Sequence, residues 1–188
     1  MTQPVHVHIP VLLGTVRRDR KSGPVATWLV DKIEAMEAVS SRLIDLPDIN
    51  LPLDDAGRAA ADPTFASAID EADGLVLVVP EYNAGFPGLL KHALDTLMSE
   101  YLHKAVGVAP VSAGGLGGVR MIPTMLPVLR DLGLVVIKPD LSVSHVGDAF
   151  SEQGSVSDRR LDQRAARFLD EMVWMTRALR VARVKPDA

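Results

Sequence analysis

The chain contains no cysteine. That excludes disulfides, thiolate metal sites and thiol catalysis, and it agrees with a reducing compartment. It also has no basic stripe. The net charge is −4, and the tightest cationic group, Arg17, Arg18, Arg20 and Lys21, is short and local. Nucleic-acid binders carry an extended basic face, so nucleic acid is not an expected partner. Arg18 and Arg20 read first as a solvated face. No apolar run approaches the roughly 18 residues of a membrane span. No basic segment leading into a long apolar stretch opens the sequence, so no signal peptide is expected. These absences predict a soluble, cytoplasmic protein with no membrane partner and no metal site.

What is present is a chain of 188 residues, 47% of them hydrophobic, enough for one compact domain over residues 1–188. Strand and helix patterns alternate along it. Residues 5–13 are β-rich, and Val25, Leu29, Ile33 and Met36 recur at helical spacing within 24–38. Pro24 suits a first helical turn, with Ser22 or Gly23 as its cap. A short strand is expected at 41–46, a long Pro/Asp/Leu loop at 47–63 and a short helix at 64–72. Residues 74–79 are almost all Val and Leu, as in a strand covered on both faces. A helix follows at 87–100, a strand at 104–111, a helix at 117–132 and a strand from Leu134 to Ile137. Pro123 and Pro127 both fall in that last helix, so it starts late or is kinked. Residues 147–157 are Gly/Ser-rich and predict a flexible segment; the final helix covers 158–183.

Repeated strand–helix units imply a parallel sheet with helices on both faces, and ligands on such sheets lie at the carboxyl ends of the strands. Three turns fall there. The first, Gly14–Ser22, enters a helix whose free amides and dipole favour an anion. Thr15 and Ser22 add hydroxyls, and Arg17 adds a planar fork suited to phosphate. The bland alternative is that both hydroxyls cap backbone and Arg17 is solvated. The turn is neither a Walker loop nor G-x-G-x-x-G. The second turn, Pro80–Pro87, offers Glu81, Tyr82 and Asn83 to a flat ligand; Glu81 alternatively fixes the loop. Lys91 and His92 sit on the helix behind it, where a lone histidine reads as a surface or interface residue. The third turn, Ser112–Gly118, has glycine at 114, 115, 117 and 118, which permits close backbone approach.

Residues 80–95 match, almost residue for residue, the segment P-E-Y-N-x-x-x-P-G-x-L-K-x-A-I/L-D of the NAD(P)H-dependent FMN reductases. The first turn resembles that family's G-S/T-x-R-x-x-R-x-G/S loop, and the third its S-x-G-x-x-G segment. The resemblance runs over residues 5–140. It implies a flavodoxin-like three-layer α/β/α sandwich with a five-stranded parallel sheet of order 2-1-3-4-5, the order that five strands also favour from pattern alone. It implies non-covalent FMN, with NAD(P)H as co-substrate. The cofactor-binding residues carried over are Thr15, Arg17 and Ser22 for the ribityl phosphate, Pro80, Glu81, Tyr82 and Asn83 for the ring, and Ser112, Gly114, Gly115 and Gly117 for its N1/O2 edge. The family commonly has a Gly-Ser-like small pair where this chain has Ala84-Gly85.

The activity implied is hydride transfer from NAD(P)H through FMN to a small acceptor such as a flavin, quinone, azo dye or metal oxyanion. No side chain is expected as an obligatory acid or base. An FMN-binding electron carrier or sensor, and a phosphate-ligand module on the same fold, remain alternatives. A homodimer or homotetramer is expected, with Leu94, Leu97, Met98, Tyr101 and Leu102 as candidate partner-facing residues, ordinary core packing being the bland alternative for them.

Overall fold

The computed structural model describes residues 4–53, 57–150, 156 and 158–183. The strand expected at 5–13 is two pieces, β1 (Val7–His8) and β2 (Val11–Leu13). Pro10 separates them because it has no N–H for the ladder. Their partners divide at the same level: β1 pairs with β3 (Val39–Ser40) and β2 with β4 (Leu43–Asp45), both in parallel. Ile9 N–H donates to Ser40 O at 2.8 Å and Val11 N–H to Arg42 O at 2.9 Å, carrying the pairing across the break.

With β5 (Gly74–Pro80), β6 (Ala105–Val111) and β7 (Val135–Val136), the main sheet has five parallel strands in the order β4-β2-β5-β6-β7. Counted along the five strands, this is the expected order 2-1-3-4-5. Side-chain alternation divides the interior in two. Val76 and Val78 of β5 join one core with α1 (Ser22–Glu34) and α6 (Arg159–Arg183). Leu75, Leu77 and Val79 join the other with α2 (Pro63–Asp70), α3 (Gly88–Asp95) and α4 (Ile122–Asp131). Each such side chain, fully buried, contributes roughly 1.5–3 kcal/mol. Gly107 gives α6 its close seat, because a Cβ there would stand 2.6 Å from Phe168 Cζ.

Three elements depart from expectation. Helix α3 ends at Asp95, and a 3-10 turn at Ser99–Tyr101 follows. Leu94, Leu97 and Tyr101 are therefore core residues, 0%, 2% and 0% exposed, whereas Met98 and Leu102 stay outside. Of the five expected at a partner face, only those two are available to one. Helix α4 starts late, after a 3-10 turn at Val119–Met121. Its Pro123 lies in the first turn, where no N–H is needed, and Pro127 sits on the exposed side. The expected flexible segment 147–157 opens inside a short helix, α5 (Val146–Ala149), and its residues 151–155 and 157 lie outside the described residues.

Candidate functional site

The first turn leaves β2 at Gly14, against which α3 packs; a Cβ on Gly14 would lie 2.6 Å from Leu90 Cδ2. Thr15 is 1% exposed. Its Oγ1 accepts the Arg17 N–H at 3.3 Å and shares a 2.8 Å hydrogen bond with Tyr82 Oη. Arg20, expected in solvent, is instead tied down. It donates to Thr15 O at 3.3 Å and forms an ion pair with Asp45 at the end of β4. Burial raises the Asp45 pKa and Arg20 opposes the rise. The turn ends at α1, whose N-cap, Lys21, gives no side-chain cap. Ser22 is 3% exposed, and among the described residues its Oγ has no hydrogen-bond partner. A buried hydroxyl left unpaired costs about 1–3 kcal/mol. The expected capping role of Ser22 is thus unfilled, and helix amides, dipole and orphan hydroxyl together suit an anion.

The second turn is closed by two reciprocal bonds, Tyr82 N–H to Gly85 O at 2.8 Å and Gly85 N–H to Tyr82 O at 2.9 Å. Its central residues, Asn83 (φ 51°) and Ala84 (φ 63°), are both left-handed, the signature of a type I′ turn. The reciprocal bonds leave the Asn83 and Ala84 amides without a partner among the described residues. The Arg17 guanidinium stands 5.8 Å from the Tyr82 ring centroid, a cation–π distance. Glu81 does not project freely. Its carboxylate accepts from Arg120 Nε at 2.7 Å and from the Arg120 backbone N–H at 3.2 Å.

The third turn begins at Ser112, which donates its N–H to Val143 O at 3.0 Å and its hydroxyl to Gly114 O at 2.8 Å. Gly117 and Gly118 have φ of 60° and 78°. A Cβ on Gly117 would fall 1.9 Å from Ser142 Oγ, so a side chain there would force the Ser142 hydroxyl, which donates to Gly117 O at 3.0 Å, to move. The connection after β7 closes over this turn: Val146 N–H donates to Ser112 O and His145 N–H to Gly114 O, each at 3.2 Å.

The three turns meet. Thr15, Arg17, Ser22, Pro80, Glu81, Tyr82 and Ser112 line one cavity of about 470 Å³. On the far side of Tyr82, a second, more open cavity of about 630 Å³ is bounded by Arg17, Glu81, Asn83 and the start of α3. Gly114, Gly115 and Gly117 lie farther round the third turn, where Gly115 faces His145 and Gly117 faces Ser142. Residues not singled out from sequence also take part: Ala113 and Val146 line the first cavity, and Arg120 and Asp45 anchor its walls. Among the described residues no His/Asp/Glu group is placed to hold a metal, and no helix is long and apolar enough to cross a membrane.

The sequence profile described as NADPH-dependent FMN reductase matches residues 7–148. The chain is 33% identical over 120 residues to the NADPH azoreductase of Bacillus sp. (strain OY1-2), covering 61% of this chain and 64% of that one. It thus spans just under two thirds of that relative's length. It is 30% identical over 177 residues to the quinone reductase of Escherichia coli (strain K12), covering 88% and 86%. Among solved structures it superposes on FerB, the flavoenzyme NAD(P)H:(acceptor) oxidoreductase from Paracoccus denitrificans, with a TM-score of 0.74 at 22% identity, covering 92% and 98%. At that identity the likeness is one of fold.

Proposed function

The chain belongs to the NADPH-dependent FMN reductase family, and from that premise we propose that it is an FMN-dependent NAD(P)H oxidoreductase that reduces a flavin, quinone or similar small acceptor. The observation that carries the reading is the buried, unpartnered Ser22 hydroxyl at the uncapped start of α1, on a cavity walled by all three turns. That donor set fits a phosphate monoester, and the cavity continues toward the tyrosine–asparagine turn, where a ring would follow.

Ser22, Arg17 and the first-turn amides would hold the phosphate. Thr15 would join them: if Tyr82 donates in their shared bond, the Thr15 hydroxyl hydrogen is free for a ligand oxygen. Pro80 to Asn83 would form the wall against the ring, with the Asn83 and Ala84 amides meeting its polar edge. Ser112 and the glycine turn at Gly114, Gly115 and Gly117 would bring backbone close to the opposite edge. Bound FMN supplies the hydride-accepting and electron-delivering chemistry. The protein orients donor and acceptor against it and excludes water, which alone can lower the barrier by several kcal/mol. No side chain in the cavity is assigned an obligatory proton.

The second cavity, beyond Tyr82, is the place for the co-substrate and acceptor in turn. A second copy of the chain would complete it. Leu89, Leu116 and Val119 are 37%, 60% and 42% exposed, an apolar set around the same edge. Light scattering at micromolar concentration should report a dimer or tetramer; a monomer removes this part of the proposal. The activity itself is tested by mixing the purified chain with FMN, removing free flavin and recording the visible spectrum. Retained flavin bands that bleach with NAD(P)H under anaerobic conditions are expected. A colourless protein overturns the reading, and a yellow one that NAD(P)H leaves unbleached is an electron carrier instead.

A further inference from the structure

Glu81 and Arg120, 39 residues apart, meet at the seam between the second and third turns. The Glu81 side chain is 7% exposed and that of Arg120 58%. Glu81 Oε1 takes the Arg120 Nε–H at 2.7 Å and pairs with a terminal nitrogen of the same guanidinium, while Oε2 takes the Arg120 backbone N–H at 3.2 Å. One carboxylate therefore grips both the side chain and the main chain of Arg120. That main chain belongs to the 3-10 turn Val119–Met121, which directly follows Gly117 and Gly118. Glu81 also lines both cavities.

We propose that the Glu81–Arg120 pair is a positioning clamp with an electrostatic consequence. It fixes the separation of the tyrosine–asparagine and glycine turns, and it cancels the charge of a carboxylate set into the wall of the site. The proposal rests on the FMN reading above. A nearly buried carboxylate is costly unless paired, and reduction of FMN adds negative charge to the cofactor. Without Arg120, the Glu81 charge stands uncompensated beside that change and disfavours it. Without Glu81, the cation remains and favours it.

The two single substitutions thus pull the FMN reduction potential in opposite directions. A role confined to holding the loops would move both the same way. The test measures the FMN dissociation constant and the two-electron potential of each variant at one fixed pH. Arg120→Gln should lower the potential and weaken FMN binding by about tenfold, the loss of one charge-assisted contact set. Glu81→Gln should raise the potential. The double variant should return the potential close to wild type while binding stays weak. Arg120→Lys keeps the charge without the fork, so its potential should also stay near wild type, with binding weakened. Shifts of the same sign, or unchanged potential and affinity in a protein that binds FMN, overturn the clamp. If the wild-type chain takes up no FMN, the FMN reading fails first and the clamp falls with it.

Discussion

The two edges of the sheet are built differently. At the amino edge, cations close off backbone and carboxylate. Asp73, 6% exposed, accepts the His8 N–H at 2.9 Å and a guanidinium N–H of Arg183 at 3.0 Å, and it pairs with Arg180. Lys104 Nζ donates to Ile69 O and Asp70 O, each at 2.7 Å, tying down the end of α2. Arg183 reaches His103 O at 2.9 Å, and Arg177 reaches Glu37 O at 2.7 Å. At the carboxyl edge, Ser22 Oγ and Asp45 Oδ1 are buried without partners among the described residues. Helix α1 starts with no side-chain cap, and two cavities open. The amino edge too keeps two buried oxygens, Tyr101 Oη and Thr176 Oγ1, without partners among the described residues, but at the carboxyl edge one such atom, Ser22 Oγ, stands on a cavity that a ligand could fill. Natural sequences break local rules mainly at functional sites.

The strongest way to break this contrast is at Asp73. Asp73→Ala strands Arg180 and Arg183 beside a vacated position and should cost about 3 kcal/mol of stability, read from urea unfolding. FMN affinity should stay within about twofold, because the site is at the other end of the strands. A large loss of FMN affinity in the folded variant would mean that the edges are not separable. Ser22→Ala is the complementary change. It removes a hydroxyl that the folded chain leaves unpaired, so stability should hold or rise slightly. FMN affinity should fall by about 1.5–3 kcal/mol, one hydrogen bond to a charged group. Titration of FMN fluorescence gives the second quantity and thermal unfolding the first.

The same contrast explains what could be read in advance. The layered fold was legible because Leu75 to Val79 alternate between two cores and because β2, β5 and β6 are apolar on both faces. The three turns were legible because their chemistry is contiguous: Thr15, Arg17 and Ser22 stand within one loop. Pairings across the chain were not. Arg20 with Asp45, Glu81 with Arg120 and Asp73 with Arg180 are 25, 39 and 107 residues apart, and no local pattern announces them. Leu94, Leu97 and Tyr101 misled for a related reason. Their helical spacing is real, but α3 stops at Asp95 and the following 3-10 turn drives Tyr101 inward.

Lys104 provides a smaller test at the closed edge. Burial first, and then neighbouring Arg183, depress its pKa to about 8 from an ordinary 10.5. Between those values the unfolded chain binds more protons than the folded one, so this group makes stability rise with pH across pH 8 to 10.5. Below pH 8 its penalty is fully present. The measured gap between wild type and Lys104→Met should therefore shift in favour of wild type from pH 8 to pH 10. A gap that is flat, or that moves the other way, would show Lys104 titrating normally.

The smallest effect compares one substitution at both edges. Ala38, ahead of β3, and Ala84, in the second turn, have φ of 55° and 63°. Left-handed backbone costs an alanine about 1–2 kcal/mol, whereas glycine adopts it freely. Part of the gain on replacing alanine by glycine is lost, because glycine leaves the unfolded chain about 0.4–1 kcal/mol more entropy. Ala38→Gly and Ala84→Gly should each stabilise the fold by about 0.5 kcal/mol. Their consequences for the ligand should differ. Ala38 lies where Val7 N–H donates to its carbonyl at 3.1 Å, away from both cavities, so FMN affinity should not move. Ala84 holds the turn that presents the amides of residues 83 and 84, and glycine there loosens it in the free protein. FMN binding should weaken by roughly twofold to threefold, the affinity equivalent of about 0.5 kcal/mol. Equal effects of the two substitutions on FMN would mean that the strain at Ala84 is unconnected with the ligand.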